Sequence, residues 1–348
     1  MRTDGLQGAA FGPRVPPAAF SRRRLLAGGL AAAVFAAGSL PAGAVFAEEG
    51  LAARFAGPAS AAPPRVAVLD YGLAETMLAF GLPPVALAEA DDWETWVVEP
   101  ALPEAIVNLG AAQEANLELL AALAPDLILS TPWLARSEAR LARIAPVETY
   151  AIYAPGVTSP YEASVTQTRR LAARLGRAAQ GEALVAAAGA QMDAIRARRT
   201  ARAPEPALQG PVLLVSFLDA RHVRVYAPNG LFGEVMARCG VANGWTGETN
   251  YWGFAAVGIE RLAEMNAARL IALEPVPSDA AEVLDRSPLW NSLPFVKAGH
   301  VQRIPAALMF GMLPSAMRFA RLLDAALDAP PGNRLGWAAP RQGMHAHG

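Results

Sequence analysis

Two stretches far apart in this chain follow one pattern, and that recurrence limits the fold more than any other feature. Asn116-Leu117-Glu118-Leu119-Leu120 opens a short amphipathic helix, Ala124-Pro125-Asp126 stops it, and Leu127-Ile128-Leu129-Ser130 follows as a buried strand. Gly258-Ile259-Glu260-Arg261-Leu262-Ala263-Glu264-Met265 leads in the same way into Arg269-Leu270-Ile271-Ala272-Leu273, one residue longer. Each copy places a glutamate at the start of a helix and a buried strand at its end. Between the copies, Tyr161 to about Ala201 is Ala/Arg-rich with few turn signals, a helical region that Gly176 and Gly181 kink or split. Arg65–Asp70, Val85–Ala88 and Pro211–Ser216 add further apolar strands. Strands alternating with helices predict parallel sheets covered by helices. The chain therefore reads as two similar α/β lobes, each a mainly parallel sheet with flanking helices, joined by a long helix. The boundaries are residues 65–160 for the first lobe, 161–203 for the helical linker, 204–328 for the second lobe, and a disordered Gly- and His-containing tail at 329–348.

The N-terminus carries an address. Ser21-Arg22-Arg23-Arg24-Leu25-Leu26 precedes an Ala/Gly-rich apolar run and a small-residue exit, Val45-Phe46-Ala47, the form of a twin-arginine export signal. The run is poor in Leu and Ile, a weak fit to a bilayer span of roughly 20 strongly apolar residues. Residues 1–47 are expected to be cleaved near Ala47, leaving a flexible leader at 48–64 and a monomer in the periplasm. Five arginines (Arg2, Arg14, Arg22, Arg23, Arg24) and Asp4 go with the signal, so 25 basic side chains remain of 30 and 30 acidic ones of 31. A mildly acidic product speaks against nucleic acid, whose phosphates call for clustered Lys and Arg. Cys239 is the only cysteine, so no intrachain disulfide forms, and a composition 53% hydrophobic and 18% charged leaves stability to packing.

No G-x-G-x-x-G, phosphate loop, G-x-S-x-G or H-E-x-x-H occurs, and His222, His300, His345 and His347 form no ligand pattern within the lobes. No catalytic residues and no metal ligands are assigned. Large aromatics beside turns stand out instead. Trp93 and Trp96 follow the second strand, Trp133 follows Thr131-Pro132, and Trp245, Tyr251 and Trp252 share a Gly-flanked loop. Met309-Phe310-Gly311 follows the strand Val301–Pro305. Open parallel sheets bind ligands beyond the carboxyl ends of their strands, and Trp and Tyr offer flat apolar area with a polar edge. Trp93 and Trp290 read as core; Trp133, Trp245 and Trp252, each next to Pro or Gly or within that loop, read as cleft.

The segments Trp96-Val97-Val98-Glu99-Pro100-Ala101-Leu102-Pro103, Asn116–Leu120, Pro228-Asn229-Gly230-Leu231-Phe232, Gly247-Glu248-Thr249-Asn250-Tyr251-Trp252-Gly253 and Pro294-Phe295-Val296-Lys297-Ala298-Gly299 resemble the periplasmic ferric hydroxamate-binding proteins of bacterial siderophore uptake. The resemblance runs in order from about Arg65 to Leu327. It implies the class III periplasmic binding protein arrangement, with a shallow aromatic cleft between the lobes. The ligand would be an iron complex already wrapped in its chelator, with no resident cofactor. The resemblance places Trp96, Trp245, Asn250 and Trp252 on cleft positions and Trp133 where a ligand-contacting tyrosine is expected; Tyr251, Met309 and Phe310 complete the candidate ligand site. It also implies that Glu118 and Glu260, one per lobe, dock on arginines of an ABC permease in the inner membrane. The sequence departs from the family where a cleft arginine falls at Ala112 or Gln113 and where a Trp-Phe-Tyr cluster falls at Leu308, Met309 and Phe310. Another bulky chelate such as haem or a corrinoid, an exported periplasmic enzyme, and a metal-delivery scaffold stand as alternatives.

Overall fold

The computed structural model describes residues 63–201 and 210–329. The export signal, all but the last two residues of the leader, and the tail beyond residue 329 lie outside the described residues. Among the described residues, ten strands form two five-stranded sheets. The first lobe contributes β1 (Val66–Val68), β2 (Ala86–Leu87), β3 (Val107–Asn108), β4 (Leu127–Ser130) and β5 (Val147–Thr149), in the order β3-β2-β1-β4-β5. All its pairings are parallel, with Val66 opposite Leu127 and Ile128 opposite Val147. Helices α1 (Tyr71–Ala79), α2 (Trp93–Trp96), α3 (Leu117–Ala122) and α4 (Ala135–Leu141) connect the strands. The second lobe has β6 (Val212–Phe217), β7 (His222–Tyr226), β8 (Phe254–Gly258), β9 (Arg269–Leu273) and β10 (Val301–Ile304), in the order β10-β9-β6-β7-β8. Here β6, β9 and β10 run parallel while β7 and β8 add antiparallel. The turn that reverses the chain between β6 and β7 is set by Asp219, whose Oδ1 accepts from the amides of Arg221 and His222. Helices α7 (Leu231–Arg238), α8 (Ser278–Arg286), α9 (Pro288–Ser292), α10 (Pro294–Lys297) and α11 (Leu313–Asp328) complete this half.

The helical linker, expected to be kinked or split at Gly176 and Gly181, is two helices, α5 (Pro160–Arg174) and α6 (Ala178–Ala201). Gly176 makes the break, because it adopts φ +65°, a left-handed conformation that ends a helix and favours glycine. Gly181 does not split the helix. It lies inside α6 where the two helices touch, and a Cβ there would come within 2.4 Å of the Ala172 methyl. The start of α5 is tied to the second lobe by the Glu162–Arg238 ion pair, and its end to β5 by Arg174–Glu148. Helix α6, about 36 Å long at 1.5 Å per residue, then runs back to meet α11, where Arg198 pairs with Asp324.

One apolar cluster runs through both lobes: Val68 and Leu129 of the first sheet, Leu171 and Leu184 of the hairpin, and Phe232, Ile271 and Phe319 of the second lobe all belong to it. Two smaller clusters fill the outer faces, one around Ile128 and Leu120, the other around Val215, Trp290 and Phe295. Helix α1 is buried from Gly72 to Ala79 because it lies between its own sheet and α11. From it, Glu75 reaches the N-terminus of α11, where its carboxylate accepts from the amides of Met312 and Ser315 and from the Ser315 hydroxyl. Glu99 of the first lobe pairs with Arg318 and Arg321 of α11. The lobes are thus joined by packing, by a buried cap and by an ion-pair cluster.

Candidate functional site: an aromatic stack over the second lobe

The loop 245–253 folds in two directions. Its first half turns inward: Trp245 is only 4% exposed and packs in the core of the second lobe. Its Nε1 donates to the Glu248 carbonyl, and Gly247 lies so close over the ring that a Cβ would sit 2.5 Å from it. The expectation that Trp245 faces the cleft is therefore corrected, since the loop's own backbone covers that ring. The second half turns outward. Asn250 Oδ1 accepts from the amides of Trp252 and Phe254, and the Asn250 carbonyl accepts from Gly253 N and Asn229 Nδ2. Asn250 thus shapes the turn, and its side-chain oxygen is committed to backbone rather than offered to a ligand. Gly253 closes the turn at φ +77°, with Gly230 so near that a Cβ would lie 2.2 Å from its Cα.

This turn presents a graded stack. Tyr251 (57% exposed) tilts over Trp252 (37%), centroids 4.1 Å apart, and Trp252 stacks on Phe254 at 6.0 Å and 12°. Below Phe254 lies the Arg224 guanidinium, 4.6 Å from the ring centroid, and Arg224 in turn contacts the Met309 sulfur at 3.7 Å. Trp252, Gly253 and Met309 line one shallow depression with Tyr153, Tyr226, Gly230 and Leu231, which encloses no cavity of its own. A bulky ligand would rest on this surface rather than inside it.

Tyr153 joins the two sides. It follows the first sheet, its hydroxyl donates to the Met309 carbonyl and accepts from Leu231 N, and its ring meets Phe310 edge-on at 5.7 Å. Burial raises its pKa, so the phenol stays protonated. Phe310 is 41% exposed, and the adjoining Gly311 approaches Gly72 at the seam between the lobes. Trp96, at the end of α2, and Trp133, on the 3-10 turn Pro132–Leu134 after β4, are 42% and 59% exposed, and neither lines the depression. Trp93 is core, with its Nε1 donating to the Pro100 carbonyl and its ring edge-on to Tyr71. Glu118 and Glu260 are exposed, but Glu260 lies on a 3-10 turn, Ile259–Glu264, rather than on a second copy of the α-helix.

Sequence reading missed Tyr153, Arg224 and Phe254. Tyr153 carries the signal used for Trp133, an aromatic beside a Pro-Gly turn. Arg224 is legible only once His222–Tyr226 is known as a strand, because Val223 and Val225 then fill one face and Arg224 and Tyr226 take the other.

The family model described as periplasmic binding protein matches residues 66–308. The chain is 33% identical over 265 residues to the iron(3+)-hydroxamate-binding protein FhuD of Escherichia coli, covering 76% of this chain and 87% of that one. Among solved structures, the siderophore-binding protein FhuD of Vibrio cholerae bound to Fe3+-Desferal superposes with a TM-score of 0.69 at 25% identity, covering 80% of this chain and all of that one. FhuD2 of Staphylococcus aureus with ferrioxamine B gives 0.61 at 18% identity, over 76% of this chain and 98% of its own, and shares the fold. With two α/β lobes around a helical hairpin, an open aromatic surface beside their seam and a family match over most of its length, this chain belongs to the periplasmic binding protein family.

Proposed function

We propose that this protein captures an iron(III)–siderophore complex in the periplasm and delivers it to the permease of an ABC importer, without chemical conversion of its cargo. The observation that carries this reading is the exposed stack of Tyr251, Trp252 and Phe254 beside the Tyr153–Phe310 pair. It offers flat apolar area to a ligand too large to be enclosed. Relatives named for hydroxamate and siderophore binding support the ligand class. Iron travels inside its chelator, and the protein needs no resident cofactor. Export follows the twin-arginine route, with cleavage near Ala47, and the working form is a monomer. Trp96 and Trp133 serve as the facing rings of the first lobe, and Glu118 with Glu260 orients the loaded receptor on the permease.

The test is a fluorescence titration with a ferric trihydroxamate. Trp252→Ala should weaken binding by about tenfold or more, as expected for truncating an aromatic anchor, with the unfolding midpoint unchanged. Unaltered affinity in that variant would remove the stack from the site.

A further inference from the structure

Arg224 differs from four arginines that tie the helices down. Arg174, Arg198, Arg238 and Arg318 each face a carboxylate. Arg224 projects from the middle of β7 beneath the aromatic stack, and no carboxylate pairs with it among the described residues. What surrounds it is the Phe254 ring, the Met309 thioether and the Tyr226 hydroxyl. Its Nε is sealed from solvent and has no hydrogen-bond partner. A guanidinium is always charged and carries five donors in a planar fork. The ring, the sulfur and one hydrogen bond with the Tyr226 hydroxyl replace only part of the hydration that half-burial removes. The partner that suits a guanidinium without a carboxylate is an anion, and its neighbours Phe254 and Met309 belong to the stack and the depression proposed to receive the cargo.

On the first lobe, one stretch of the seam is acidic. Tyr71 stands among Glu89, Asp92, Asp70 and Asp91, next to the point where Gly72 meets Gly311 and Phe310. An anionic edge of a ligand is therefore turned away from the first lobe there and toward Arg224. We propose that Arg224 is the anion-recognition group of this surface, and that the cargo is a ferric chelate carrying a carboxylate or other anionic oxygen on the edge facing the second lobe. This rests on the receptor reading above and narrows it from any bulky chelate to a negatively charged one.

Two probes with the same iron core separate the possibilities: ferrioxamine B acylated at its free amine with an acetyl group, which is neutral, or with a succinyl group, which ends in a carboxylate. Tryptophan quenching should give the succinyl form about tenfold tighter binding to the unmodified protein, a usual size for one charge-assisted contact. Arg224→Gln should erase that preference, while Arg224→Lys, which keeps the cation but not the fork, should retain part of it. Equal affinity of the unmodified protein for both probes overturns the proposal, and that comparison needs no variant to fold. A preference that survives Arg224→Gln overturns it too. If neither probe quenches, the receptor reading itself fails and the assignment of Arg224 falls with it.

Discussion

Two tryptophans of one loop, seven positions apart, have opposite fates, and the difference lies in what the intervening residues do. Both lie near glycines, the sequence signal that marked both as cleft residues. Gly247 lets the chain fold flat over Trp245, whereas Asn250 Oδ1 gathers the next amides into a turn that pushes Trp252 outward. Adjacency to glycine tells where the backbone can bend and not which way it does. The two rings should separate cleanly in experiment. Trp245→Ala empties a buried aromatic site and should cost about 3–5 kcal/mol in urea unfolding. Trp252→Ala removes a ring already 37% exposed and should cost under about 1 kcal/mol. Equal losses at the two positions would show that the loop packs differently in solution.

At the scale of elements, the repeat that opened the sequence reading is real in its strands and uneven in its helices. Both glutamates follow a strand or turn and precede apolar residues that reach the core. On the first lobe, Asn116 caps α3 through its side-chain oxygen and Leu120 is fully buried, which leaves Glu118 pointing outward from the first turn. On the second, Ile259 and Leu262 are the buried pair of a 3-10 turn, and the tighter winding still leaves Glu260 exposed. Apolar spacing predicts which side faces solvent in either kind of turn, but it does not separate an α-helix from a 3-10 helix over one or two turns. The mainly parallel sheet was expected, but the antiparallel β7 and β8 were not placed, because the reversal into β7 depends on one Asp219 turn. If Glu118 and Glu260 are the docking acids, Glu118→Arg with Glu260→Arg should abolish uptake of the iron chelate by cells. Titration and thermal melting of the purified double variant should stay at the level of the parent protein. Undiminished uptake would release both residues from that role.

Across the whole molecule, periodicity made the two lobes and their helical junction legible, since each depends on residues close in sequence. What binds the lobes to one another was not legible, because it pairs residues more than two hundred positions apart. Glu99 on Arg318 and Arg321 is one such tie, and Glu75 on the start of α11 is the other. The second tie makes stability depend on pH in a direction opposite to that of an ordinary ion pair. Burial pushes the Glu75 carboxyl up to about 7 despite its hydrogen bonds from Ser315 and Met312, and it pushes nearby Asp70, the cap of α1, up to about 6. In the unfolded chain Glu75 releases its proton near its ordinary value of 4.5, so between about pH 4.5 and 7 the native state holds a proton that the unfolded state has lost. This contribution is complete below pH 4.5, declines as pH rises through that window and is gone above it, a change on the order of 3 kcal/mol for Glu75. Unfolding midpoints in urea at pH 5, 6 and 8 should therefore fall with rising pH in the parent protein. They should fall much less in Glu75→Gln, which keeps an acceptor for the α11 amides but cannot ionise. Parallel slopes for the two proteins would mean that the carboxyl is already ionised at pH 5, with the amides of α11 rather than its burial governing its charge.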